Sequence, residues 1–206
     1  MNDLTQNILI CGIGGQGVVL AGKIIGLAAF ESGMDIKTSE VHGMSQRGGS
    51  VSTHIRFGKK VFSPLIPKNR ATLILSFDIY ETLRYIGDFA NKNTVIVSSD
   101  NGKTPAWTSK TKNDTIGNKL MNAASIAAFL KDNVKFLNLL NDKKTAENLG
   151  NVKVSNIVLI GALSGFIDIK KEIWLKVIEK SVPEKIVDLN VEAFLKGRGY
   201  HESKIF

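Results

Sequence analysis

Ile8-Leu9-Ile10-Cys11-Gly12-Ile13-Gly14-Gly15-Gln16-Gly17, followed by Val18-Val19-Leu20-Ala21-Gly22-Lys23-Ile24-Ile25-Gly26-Leu27-Ala28-Ala29-Phe30, decides the fold. Residues 8–11 form an apolar run too short for a helix, and read as a buried strand. Residues 18–30 read as a largely buried helix. Between them Gly12, Gly14 and Gly17 satisfy G-x-G-x-x-G, in the strand–turn–helix context that a dinucleotide fingerprint requires. Glycines let the chain turn tightly and approach a ligand with no Cβ in the way. The helix N-terminus then offers free N–H groups and a positive dipole end to an anion. A tight turn that binds nothing has the same spacing; the extra Gly15 and the polar Gln16 favour a ligand loop. Gly12, Gly14, Gly15, Gln16 and Gly17 are therefore candidate binding residues.

Outward from this unit, Asp35-Ile36-Lys37-Thr38-Ser39-Glu40 reads as a second strand. Glu40 stands where a dinucleotide-binding fold places its ribose-holding acid. No second crossover helix follows. Instead comes Glu40-Val41-His42-Gly43-Met44-Ser45-Gln46-Arg47-Gly48-Gly49-Ser50, which sets a carboxylate, an imidazole, an amide and a guanidinium close together. Residues 51–57 then alternate with period two: Val51, Thr53, Ile55 and Phe57 on one face, Ser52, His54 and Arg56 on the other. That predicts a half-exposed strand with His54 at the surface. Gly58-Lys59-Lys60 reads as a turn and Val61-Phe62-Ser63 as the return strand of a β-hairpin. His42, beside Glu40 and Gly43, is the better candidate for a site or an interface. Arg47 suits either a bidentate contact with a phosphate or carboxylate, or a pairing with Glu40 that pins the loop.

Strand patterns recur at 71–77, 94–99 and 134–137, and helical patterns at 80–89, 116–131, 143–149, 155–166, 172–181 and 184–195. Pro183 fits the start of the last helix, and Gly197 and Gly199 its end. Alternating elements predict an α/β, Rossmann-like three-layer fold: a mainly parallel sheet with a β-hairpin insertion, in a single domain over 1–206. Ligands on such sheets gather beyond the carboxyl ends of the strands. Asp78 and Asp100 fall on that edge, and read as cap or turn residues.

The chain has 206 residues, a net charge of +8 and a single cysteine, Cys11. Its lysines are dispersed and do not interleave with aromatics, so the charge reads as solvated surface, with no nucleic-acid groove. No apolar stretch is long enough to span a membrane and no secretory signal is evident, so the reading is cytoplasmic. One cysteine excludes an internal disulfide and cannot ligate an iron–sulfur cluster. No catalytic triad, carboxylate pair or His/Cys metal spacing stands out.

Gly12-x-Gly14-Gly15-Gln16-Gly17 together with residues 40–51 resembles the gamma domain of the 2-oxoacid:ferredoxin oxidoreductases. The His42-Gly43-Met44-Ser45-Gln46-Arg47-Gly48-Gly49 wording is most like the beta subunit of the indolepyruvate branch. The stretches 150–163 and 190–197 are similar to other parts of that family, so the resemblance covers nearly the whole chain. Residues 103–114 match nothing recognised.

The resemblance implies a subunit of an enzyme that oxidatively decarboxylates aryl pyruvates to acyl-CoA and reduces ferredoxin. It implies a larger alpha subunit carrying thiamine diphosphate, magnesium and the iron–sulfur clusters. It further implies that this chain contacts coenzyme A through Gly12, Gly14, Gly15, Gln16, Gly17, Ser45, Gln46, Arg47 and Gly48, with Glu40 and His42 as candidate catalytic groups. A stand-alone NAD(P)-binding oxidoreductase and a non-catalytic scaffold subunit are the alternatives.

Overall fold

The computed structural model describes residues 5–43, 48–102 and 122–202. A six-stranded sheet has the order β2-β3-β1-β4-β5-β6. Its strands are β1 (Gln6–Ile13), β2 (Asp35–His42), β3 (Ser50–Gly58), β4 (Leu73–Ser76), β5 (Val95–Ser99) and β6 (Phe136–Leu140). β3 runs antiparallel to both its neighbours, whereas β1, β4, β5 and β6 pair in parallel.

Side chains of a strand alternate between faces, and β1 separates two cores in this way. Ile8 and Ile10 belong to the larger one, with α1 (Val18–Glu31) and the four helices from the C-terminal third of the chain. Leu9 and Cys11 belong to the smaller one, with α2 (Ile79–Phe89) and α3 (Ala123–Asn133). After β6 come α4 (Asp142–Asn148), α5 (Ser155–Ser164), α6 (Lys171–Ser181) and α7 (Val187–Glu202). The three layers predicted from the alternation of elements are present. The helix predicted over 116–131 is described only from Ala123, its first part lying outside the described residues.

Three expectations are corrected. The first concerns the hairpin. β3 pairs with β2 along its whole length, Asp35 opposite Gly58 and His42 opposite Val51, and residues 61–63 form no strand. The chain turns back after His42, and the new strand inserts between β2 and β1.

The second concerns exposure. Insertion pairs both edges of β3, and packed elements cover its faces, α1 at Thr53 and Ile66 with Phe89 at His54, so Ser52, Thr53 and His54 are all buried. Two-fold alternation of polarity normally marks a half-wet strand. Here the polar face is absorbed by α2 and the segment after β3. The Nδ1 of His54 accepts from the Ile66 backbone N–H at 3.3 Å, and its ring meets Phe89 edge to face.

The third concerns the end of the last helix. α7 passes through Gly197 and Gly199 to Glu202. Gly197 serves helix packing: a Cβ there would lie 1.9 Å from the Val158 carbonyl oxygen, and one on Gly161 would lie 2.1 Å from that of Phe194. The backbones of α5 and α7 touch because both lack side chains at the crossing.

Gly197→Ala should lower stability by about 1–3 kcal/mol through overpacking, whereas in an open helix the change gains about 0.5–1 kcal/mol. Chemical denaturation reads the sign. Burial holds the His54 imidazole below its ordinary value of 6.5. Its contribution to stability is complete above that value and is lost as pH falls through the depressed folded value. Between about pH 7 and pH 5, the melting temperature of the wild type should fall more than that of His54→Gln.

Candidate functional site

The first glycine loop lies between β1 and α1. Gln16 closes it from within: its backbone N–H donates to the Ile13 carbonyl at 3.0 Å, and its Oε1 accepts from the Ile13 N–H at 2.7 Å. Gln16 is thus a loop-closing residue, with its oxygen turned inward. Gly15 and Gly17 have φ of 100° and 92°, the left-handed region that glycine adopts without strain. Gly17 is the N-cap of α1; it supplies no side-chain cap, and no acidic residue sits in the first turn. The orphan N–H groups of that turn are left to other partners.

The second glycine loop returns to the first. Gly14 N–H donates to the Gly49 carbonyl at 2.8 Å, and Gly48 N–H donates to the Gly14 carbonyl at 3.3 Å. At the base of this loop Ser50 hydrogen-bonds the buried Glu81 carboxylate and lies 3.1 Å from the Tyr85 hydroxyl. Glu81 also accepts from Arg84 Nε at 3.1 Å. These contacts hold the start of β3 against α2, a support that no local pattern in the sequence announced.

A cleft of about 480 Å³ opens above, lined by Gly14, Gly15, Gly17, Val18, Val19, Glu40, His42 and Val51. The structure therefore brings Gly14, Gly15 and Gly17 together with Glu40 and His42. Gly12 lies inside β1, where a Cβ would meet Gln16 Oε1 at 2.8 Å and Phe77 Cβ at 3.1 Å. It shapes the loop from below. Ser45, Gln46 and Arg47 lie outside the described residues. Glu40 and His42 are exposed on the edge strand β2, and His42 Nδ1 is 3.3 Å from the Gly43 carbonyl.

The other carboxylates of the sheet edge have structural roles. Asp78 is the N-cap of α2 and accepts from the Tyr80 N–H at 2.9 Å. Asp100 accepts from Asn101 Nδ2 at 2.5 Å, and burial raises its pKa above the ordinary carboxylate value. Asp142 accepts from Ser99 Oγ at 2.5 Å and is likewise raised, chiefly by burial. Among the described residues no three His, Cys, Asp or Glu side chains gather as a metal site. Among them too, no helix is long and apolar enough to cross a membrane.

The family described as pyruvate ferredoxin/flavodoxin oxidoreductase matches residues 7–200. The chain belongs to this family. It is 38% identical over 191 residues to the indolepyruvate oxidoreductase subunit IorB of Pyrococcus horikoshii, covering 91% of this chain and 92% of the relative. It is 36% identical over 207 residues to the IorB subunit of Thermococcus kodakarensis, covering 93% of each. The gamma subunit of a keto/oxoacid ferredoxin oxidoreductase from Geobacter sulfurreducens superposes with a TM-score of 0.69 at 22% identity, over 96% of this chain and 99% of that one. This family's relatives are subunits of multi-subunit oxidoreductases.

Full burial pushes the Cys11 thiol up to about 12, with Ser76 pulling it partly back and Glu81 and Asp78 adding to the rise. Such a thiol is neither a nucleophile nor a cluster ligand. Iodoacetamide should leave Cys11 unmodified in the folded chain and label it after unfolding in guanidinium. Labelling of the native chain at the rate of a free thiol would contradict this.

Proposed function

We propose that this chain is the gamma-type (beta) subunit of an indolepyruvate-type 2-oxoacid:ferredoxin oxidoreductase, and that its glycine cleft receives the diphosphate portion of coenzyme A. The observation that carries the reading is the pairing of the two glycine loops through Gly14, Gly48 and Gly49 over the uncapped N-terminus of α1. That end attracts an anion, and the absence of Cβ atoms at Gly15 and Gly17 lets it approach the backbone. Val18, Val19 and Val51 supply an apolar wall for the organic part of the ligand. Arg47 is assigned a contact with the same anion, and Glu40 and His42 the rim that meets the partner.

The similarity to IorB subunits supports the indolepyruvate branch: identity is 36–38% for the two IorB relatives above, against 27% for a 2-oxoglutarate synthase KorC subunit. A related 2-oxoglutarate:ferredoxin oxidoreductase from Magnetococcus marinus, with coenzyme A and succinyl-CoA bound, superposes with a TM-score of 0.71 over 98% of this chain and 32% of that one. In the proposed complex a larger alpha subunit holds thiamine diphosphate, magnesium and the iron–sulfur clusters. The decarboxylated acyl group passes to the coenzyme A thiol and the two electrons released pass to ferredoxin. The buried Cys11 has no part in this.

The sheet order weakens the NAD(P) reading. In a dinucleotide-binding fold the acid-bearing strand lies beside the loop-bearing strand. Here β3 intervenes, so Glu40 is two strand spacings from β1, roughly 10 Å in place of about 5 Å.

The test is co-purification of this chain from its own cells, followed by anaerobic assay with arylpyruvate, coenzyme A and an artificial acceptor. A large brown partner and coenzyme-A-dependent reduction are expected, and Arg47→Ala should depress acyl transfer or assembly without unfolding the chain. A lone protein that binds NAD(H) would overturn the assignment.

A further inference from the structure

Helix α5 is buried from Asn156 to Ser164, and Asn156 itself is 7% exposed. An amide in such surroundings is destabilising unless its polar atoms are met. Asn156 Oδ1 accepts from the Ile157 backbone N–H at 2.9 Å. Only the oxygen can accept, so this bond orients the amide and leaves Nδ2 with its two donors on the other side. Nδ2 has no hydrogen-bond partner among the described residues.

Nδ2 lies against the glycine loop: a Cβ on Gly17 would stand 2.5 Å from it. Gly17 is the uncapped start of α1, whose first turn carries no acidic side chain. Two sets of donors therefore converge from different parts of the chain: the free N–H groups of the first turn of α1, and an oriented, buried amide from the start of α5.

We propose that Asn156 is an anion-binding residue, its Nδ2 donating to an oxygen of a phosphate or diphosphate seated on the first turn of α1. This rests on the reading of the cleft as a cofactor-diphosphate site, and it adds a residue far from the glycine motifs in sequence. A neutral amide suits the position: it adds two donors without setting a second charge in largely buried surroundings, where it would need its own counter-ion. Gly17 then serves two ends, the left-handed turn and the open line between the amide and the ligand.

The experiment is calorimetric titration of the purified full chain with pyrophosphate, ADP and coenzyme A, for the wild type and Asn156→Asp. The aspartate keeps an acceptor for Ile157 N–H but loses the donors and sets a negative charge beside the anion. Affinity for pyrophosphate and coenzyme A should fall by at least about tenfold, the scale of a hydrogen bond to a charged group. In the wild type, the side-chain amide ¹⁵N–¹H signals of Asn156 should shift on addition of pyrophosphate, a readout that does not depend on the variant's folding. Undiminished binding by a folded Asn156→Asp chain, or an unmoved amide signal when pyrophosphate binds, overturns the role of Asn156 and leaves the coenzyme A reading standing. Asn156-dependent pyrophosphate binding with no added affinity for coenzyme A over ADP supports the anion role and removes the coenzyme A reading. A wild-type chain that binds none of the three probes overturns both.

Discussion

The antiparallel insertion of β3 between β1 and β2 is the constraint on which the rest of the molecule depends. It gives β1 a partner on each edge, β3 and β4. It buries the polar side chains Ser52, Thr53 and His54. It also brings the chain back beside its own first loop, so that Gly48 and Gly49 bond to Gly14. Backbone groups withdrawn from water must be paired. The two loops satisfy each other with no side chain between them, and the cleft opens above them.

The same strand gives a common fingerprint different surroundings here. A glycine turn at a helix N-terminus attracts any phosphate-bearing ligand. Which ligand fits depends on the flanking walls. With β3 in place, one wall is Val51 and the far rim is Glu40 and His42 on an exposed edge strand. An edge strand of eight residues has backbone groups without a sheet neighbour, which suits a chain that works inside an assembly.

Glycine has two distinct uses in this chain. In the loops it permits left-handed backbone, as at Gly15 and Gly17. Between α5 and α7 it permits contact of two helix backbones at Gly161 and Gly197. Sequence alone separates these uses poorly. A glycine near the end of a helical pattern reads as a cap, and only the neighbouring helix reveals that Gly197 continues the helix instead.

Local chemistry determined a good deal by itself. The strand–turn–helix unit at residues 8–30, the cap at Asp78, the alternation that builds three layers and the family resemblance were all legible, because each is written in contiguous residues. Of the site, Gly14, Gly15, Gly17, Glu40 and His42 were named in advance and do share one cleft. Tertiary structure decided what contiguous residues cannot express. It set which strand pairs with β3, turned His54 inward and set Gln16 to close its own loop. It also brought Asn156 against Gly17 across about two-thirds of the chain's length. Those outcomes depend on which surfaces meet when the sheet closes. A period of two or a single asparagine in an apolar run is the same string whatever packs against it.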